Sequence, residues 1–90
     1  MYFKPSIAKI LDDLEKLLAI KQEQYGETFE MMMDEYKEFP VIMLEMKLLR
    51  LKRQYKKDPY CCLDTLMDIA GYAVLTLVRL YEKENLEEEI

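Results

Sequence analysis

Residues 66–78 read Leu-Met-Asp-Ile-Ala-Gly-Tyr-Ala-Val-Leu-Thr-Leu-Val, and Asp68 is the one charged residue among them. A carboxylate in such a run must be paired, metal-bound or neutralised, because burying a bare charge is too costly. Asp64 stands one helical turn earlier and Tyr72 one turn later. The spacing i, i+4, i+8 puts all three on one stripe of a helix. Two like charges on one stripe repel unless a cation lies between or beside them. The run therefore asks for a helix packed on nearly every side, with a cation delivered to Asp68.

The rest of the chain suits that demand. Ninety residues with two Gly and three Pro, rich in Leu, Met, Glu and Lys, make one helical domain. A chain this short buries somewhat over ~60% of its unfolded surface, so oligomerisation is a natural source of added stability. No run of apolar residues approaches the ~20 needed to span a membrane. Met1 to Pro5 lacks the apolar core and cleavage site of a signal peptide. Cys61 and Cys62 are adjacent, a spacing that rarely forms a disulfide, and free thiols fit a reducing cytoplasm. The plain reading of the pair is two small apolar residues near a helix start. The net charge of −5 argues against general nucleic-acid binding. Basic residues nevertheless crowd one segment (Lys47, Arg50, Lys52, Arg53, Lys56, Lys57), and an acidic tail runs from about Glu82. There is no His, which removes the commonest general base and transition-metal ligand. A metal here would be held by oxygens, as Mg²⁺, Mn²⁺ or Ca²⁺ is.

Four helices are expected. Ser6 caps the first, whose apolar residues Ile7, Ile10, Leu11, Leu14, Leu17 and Leu18 repeat with a helical period, and Gly26 ends it. Thr28 caps a short second helix with Phe29, Met32, Met33 and Tyr36 facing inward. Pro40 fits the first turn of the third, whose core stripe is Val41, Leu44, Leu48, Leu51 and Tyr55, with Lys56 and Lys57 at its C-terminal end. Asp58-Pro59 reads as cap and first residue of the fourth helix, which runs to about Lys83. That helix is apolar nearly all round, so it is expected to be central and most buried. Gly71 in its interior is about 1 kcal/mol worse than Ala, which implies close approach by another helix or a ligand.

Three constellations carry chemistry. Asp64 and Asp68, with Tyr72, form a half-site for a divalent metal; the competing reading pairs Asp68 with Lys47, Arg50 or Arg79. Lys47 and Arg50 share a face at i and i+3, away from the Leu44–Leu48–Leu51 stripe, and read as a phosphate clamp or as a solvated basic face. Glu35 and Glu38 form an E-x-x-E pair, with Glu45 a further acid; surface helices are full of such pairs. Tyr25 and Tyr72 are candidates to stack on a base, or are simply packed. The Met31-Met32-Met33 run reads as core filling.

Lys21-x-x-x-Tyr25-Gly26-x-x-Phe29, Lys47-x-x-Arg50 and Asp64-x-x-x-Asp68-Ile69-Ala70-Gly71-Tyr72-Ala73 together resemble small phage and prophage proteins. Those proteins are related to the MazG-like all-α NTP pyrophosphohydrolases and to nucleotide-modification-associated domains. The resemblance covers roughly residues 19–80, and its last segment is the most specific. It implies a four-helix bundle, MazG-like, assembling as a homodimer or homotetramer. It also implies Mg²⁺-dependent cleavage of an NTP or dNTP to the monophosphate and pyrophosphate. Carried over, Asp68 and Asp64 become metal-binding and catalytic acids, with Glu35 and Glu38 as the remaining ligands, and Lys47 and Arg50 the basic pair. The chain departs from the pattern at Thr65, where the E-x-x-D motif has its Glu. The expectation is a cytoplasmic, MazG-like nucleotide pyrophosphohydrolase or nucleotide-binding protein with no membrane or nucleic-acid partner. The alternative is a catalytically degenerate helical phage protein that acts by binding a host or phage protein.

Overall fold

The computed structural model describes residues 6–84. The expectations about the first five residues, and about the acidic tail beyond Glu84, lie outside the described residues. Within them the chain is all-helical: α1 (Ile7–Tyr25), α2 (Thr28–Glu35), α3 (Phe39–Gln54), a 3₁₀ turn (Pro59–Cys62) and α4 (Leu63–Glu84).

Local chemistry sets the boundaries. The Ser6 hydroxyl accepts from the Lys9 N–H at 3.1 Å and starts α1. Gly26 stops it at φ 58°, a conformation that favours glycine, and its N–H donates to the Gln22 carbonyl at 2.7 Å. Thr28 does not cap α2. It is the first helical residue, Glu27 holds the cap position, and the Thr28 hydroxyl donates backwards to the Tyr25 carbonyl at 2.6 Å. The Tyr25-Gly26-Glu27 link is so short that the hydroxyl meets the end of α1 before it can serve α2. Pro40 lies in the first turn of α3, where its missing N–H leaves no bond unmade. Lys56 and Lys57 fall just beyond the end of α3, in the turn to the 3₁₀ segment. Asp58 caps that segment by accepting from the Tyr60 N–H at 3.0 Å, so α4 proper begins four residues later than the cap motif suggested.

The α3–α4 hairpin is the most extensive contact, and small residues make it close. Cys62 and Thr65, both buried, let α3 approach the start of α4, while Pro40 is buried at the other end of α3. Helix α1 crosses α4 at Gly71. A Cβ there would stand 3.2 Å from Leu18 Cδ2 and 3.9 Å from Leu14 Cδ1, so the missing side chain lets Leu18 sit closer to α4 than an alanine would. Helix α2 is tied to α4 by charge. The Asp34 carboxylate accepts from the Arg79 guanidinium and pairs with Lys83 at 3.0 Å. These hydrogen bonds, Arg79's first and Lys83's second, hold the Asp34 carboxyl below the ordinary carboxylate range.

Two expected stripes are rotated. In α3, Val41, Leu48 and Tyr55 are exposed, and the inward positions are Pro40, Met43, Leu44, Lys47, Leu51 and Gln54. The helix turns Lys47 inward because Asp68 needs its ammonium. In α2, Tyr36 is exposed rather than inward. Helix α4 is central in connectivity, yet only Thr65 and Gly71 on it are buried. Its outward apolar face is open, which corrects the expectation of a helix buried on all sides. With the 3₁₀ turn before it, the segment Pro59–Glu84 is long and apolar enough, by length and composition, to cross a membrane. Its inner face, however, carries Asp68 and Arg79, both ion-paired within the chain.

Candidate functional site

The inner face of α4 brings three separate segments together. Asp68 is held from two sides: Lys47 of α3 reaches it at 3.0 Å, and Lys21 of α1 stands at 3.9 Å. The Asp68 side chain is 23% exposed and that of Lys47 19%, so this is a half-buried pair rather than a solvated one. Two ammonium groups around one carboxylate leave one positive charge in surplus. Such a cluster is suited to an anion, and Lys supplies it as a compact point charge.

Beside the cluster lies a groove of about 690 Å³ between α1, α2 and α4. Leu14, Leu18 and Leu75 line its apolar wall, Tyr25, Phe29 and Tyr72 its aromatic wall, and charge comes to it from Lys21 and Arg79 and from Glu15, Glu30 and Glu82. A hollow of about 20 Å³, room for roughly one water, touches Asp68, Lys21, Gly71 and Tyr72. Groove and hollow share Leu18, Lys21, Tyr72 and Leu75, so the Lys21 side chain borders both. The Tyr72 ring stacks on Phe29, with centroids 5.7 Å apart and planes 19° apart, and Phe29 meets Phe39 edge-on at 5.4 Å. One face of Tyr72 is thus occupied by Phe29. Tyr25 lines the groove and is 59% exposed, leaving ring surface free for an incoming planar group.

The other candidate residues sit apart. Asp64 is exposed one turn before Asp68 on α4. Glu35 is the last residue of α2 and Glu38 the cap position of α3, so this pair straddles a break between helices and is exposed on both sides of it. Glu45 is exposed on α3. Arg50 is exposed one turn beyond Lys47, near enough to the hairpin that its charge opposes the upward push of burial on the Cys62 thiol. Among the described residues, no three Asp, Glu or Cys side chains gather into a group able to hold a metal ion. The carboxylate with the best position, Asp68, is already shared by two cations.

Sequence reasoning named Lys21 only as part of a motif and did not foresee its contact with Asp68. The signal was available. Lys21 falls at i+3 from Leu18 and i+7 from Leu14, the buried residue of α1, which puts it on the inward stripe of that helix. The Asp34–Arg79–Lys83 clasp was not found either. Its signal is the i, i+4 pair of cations on an otherwise apolar helix.

No family model matches the chain, and neither the curated proteins nor the solved structures contain a match.

Proposed function

We propose that this protein binds a nucleoside triphosphate or deoxynucleoside triphosphate. Its phosphates lie at the Lys21–Asp68–Lys47 cluster and its base in the aromatic end of the neighbouring groove. One observation carries the reading. Lys21, Lys47 and Asp68 come from three different segments of the MazG-like resemblance, on three helices, and they meet at one point. Structural ion pairs need no such agreement between a motif and a place. Asp68 keeps the two ammonium groups close despite their mutual repulsion, and the surplus charge attracts phosphate oxygens. The groove beside Lys21 supplies apolar and aromatic surface for the rest of the ligand.

The donor set does not fit Mg²⁺ as it stands, because one carboxylate between two cations offers a divalent ion too little negative charge. Binding, rather than pyrophosphate release, is therefore the reading these residues support. The second reading, a helical module that acts by holding a protein partner, is favoured by the open apolar face of α4.

Isothermal titration with a panel of NTPs and dNTPs, in EDTA and again with Mg²⁺, tests the proposal. The expected result is saturable binding of at least one nucleotide, weakened tenfold or more in Lys21→Ala and Lys47→Ala. Equal binding by both variants removes the site. Pyrophosphate release that depends on Mg²⁺ and is lost in Asp68→Asn would restore the hydrolase reading.

A further inference from the structure

We infer that the outward face of α3 rests on an anionic lipid surface, with the helix lying in the plane of the headgroups. Pro40, Met43, Lys47, Leu51 and Gln54 set the inward direction of this helix. On the opposite side, Ile42, Met46 and Leu49 follow one another at i, i+4 and i+7, and all three are between 52% and 58% exposed. Val41 and Leu48 flank them and are exposed as well. Five large aliphatic side chains thus stand in solvent on one 16-residue helix, whose one acid is Glu45. Cations take over where the apolar stripe stops. Lys52 and Arg53 follow Leu49 at i+3 and i+4, Lys56 and Lys57 continue into the turn, and all four are exposed.

Charge selects the occupant. Residues 50–57 hold five cations and no acid, in a chain whose net charge is −5. Among the described residues, Lys9, Lys16, Lys21, Lys47, Arg79 and Lys83 each meet a carboxylate of the chain. Arg50, Lys52, Arg53, Lys56 and Lys57 meet none. Their charge is left for an external anion, and its local concentration turns this end of the molecule toward one.

The aliphatic stripe decides which anion. The phosphates of a nucleic acid engage cations and offer nothing to Ile42, Met46 and Leu49. A lipid interface takes both: aliphatic side chains enter the boundary with the acyl chains, while Lys and Arg lay their stems along it and keep their charge among the headgroups. Tyr55, 48% exposed where the apolar and basic parts meet, has the apolar body and polar tip suited to that depth. The helix lies on the surface and does not cross it. Its 16 residues span about 24 Å, short of the ~30 Å hydrocarbon core, and they include Arg50, Lys52 and Arg53. The sequence expectation of no membrane partner rested on the lack of a spanning run, which a helix lying on the surface does not need. Lys47 points the other way, to Asp68, so the inference stands apart from the nucleotide site.

Flotation of the full chain with vesicles tests it. The expected result is binding to vesicles of equal parts phosphatidylcholine and phosphatidylserine, weakened by added salt, and little binding to phosphatidylcholine alone. Lys56→Gln and Lys57→Gln each lower the partition about fivefold, the equivalent of the ~1 kcal/mol that a cation gains near an anionic surface. Leu49→Ser lowers it about tenfold or more. These side chains are exposed, so the variants keep the wild-type circular dichroism. The chain has no Trp, which makes Leu49→Trp a single reporter whose emission moves to shorter wavelength on the anionic vesicles, while Glu23→Trp on α1 does not respond. Absence of binding to the anionic vesicles, equal binding to phosphatidylcholine alone, or a Leu49→Ser variant that binds as wild type would each overturn the inference. Tighter binding to duplex DNA than to the vesicles would overturn it in favour of a nucleic acid. A Leu49→Trp emission already shifted without vesicles would overturn it in favour of a protein covering the face.

Discussion

Replacing Gly71 by Ala sets two effects of known size against each other. The helix interior gains about 1 kcal/mol from losing a glycine. The new methyl, however, lands 3.2 Å from Leu18 Cδ2, closer than the ~3.5–4.0 Å at which carbon atoms attract best. Leu18 must retreat by a few tenths of an ångström. It is half-buried and borders the groove, so it has somewhere to go, and that retreat costs less than about 1 kcal/mol. Leu14, at 3.9 Å, is in ordinary contact and need not move. The net expectation is a variant between unchanged and about 1 kcal/mol more stable. Gly71→Val adds atoms beyond the methyl that Leu18 cannot clear, and should lose roughly 1–3 kcal/mol by overpacking. In a Leu18→Ala background the obstacle is gone, so Gly71→Ala should there return the full ~1 kcal/mol. Urea unfolding followed by far-ultraviolet circular dichroism, at one fixed protein concentration, reads these differences. Should Gly71→Ala cost about 2 kcal/mol or more, and the same amount in both backgrounds, the reasoning from Leu18 is refuted.

Further outcomes follow from single contacts. A double-mutant cycle joining Lys47→Met and Asp68→Asn should give a coupling of about 1–2 kcal/mol, above that of a solvated pair and below that of a fully buried one; a coupling near zero would mean the two groups do not meet. Gly26→Ala should cost about 1 kcal/mol or more through its positive φ alone, since nothing lies within 4 Å to clash with the methyl. The folded Asp34 carboxyl titrates below its unfolded value, so the clasp to Arg79 and Lys83 contributes stability above the ordinary carboxylate range. That contribution disappears as the pH falls below about 4, and unfolding curves of Asp34→Asn should accordingly differ from wild type at neutral pH and converge with it in acid. Iodoacetamide should label Cys61 first. Burial, and then the hydrogen bond with Cys61, push the Cys62 thiol up, so a second label should appear only on unfolding.

Much of the fold could be read from residues that act locally. Ser6 and Gly26 bound α1, and Pro40 and Asp58 mark the next helix starts, because a cap or a ring constraint depends only on near neighbours. Stripes were harder. A count of apolar residues put Val41 and Leu48 on the inner face of α3, whereas the ion pair turns that face to include Lys47. Hydropathy alone does not weigh one half-buried carboxylate against two exposed aliphatic side chains. Helix α4 misled in the same way. An all-apolar helix can be covered by its own chain or by another, and the sequence pattern is identical in the two cases. Asp68 stood out because its surroundings are apolar. Its partners Lys47 and Lys21 lie 21 and 47 residues away in sequence, and no spacing rule reaches that far. The acids of the E-x-x-E pair share a helical spacing on paper, yet a helix ends between them, at Tyr36.

Nucleotide binding at the Lys21–Asp68–Lys47 cluster is the central proposal, and thermal unfolding with a panel of NTPs and dNTPs tests it most directly. A ligand bound only by the folded chain, at about a hundred times its dissociation constant, adds about 2.7 kcal/mol. For a chain this size that raises the midpoint by roughly 10 °C or more. The account predicts such a rise with at least one nucleotide, and its loss in Lys47→Ala and Lys21→Ala. No rise with any nucleotide, with or without Mg²⁺, would contradict it and leave the Lys21–Asp68–Lys47 cluster a structural ion pair.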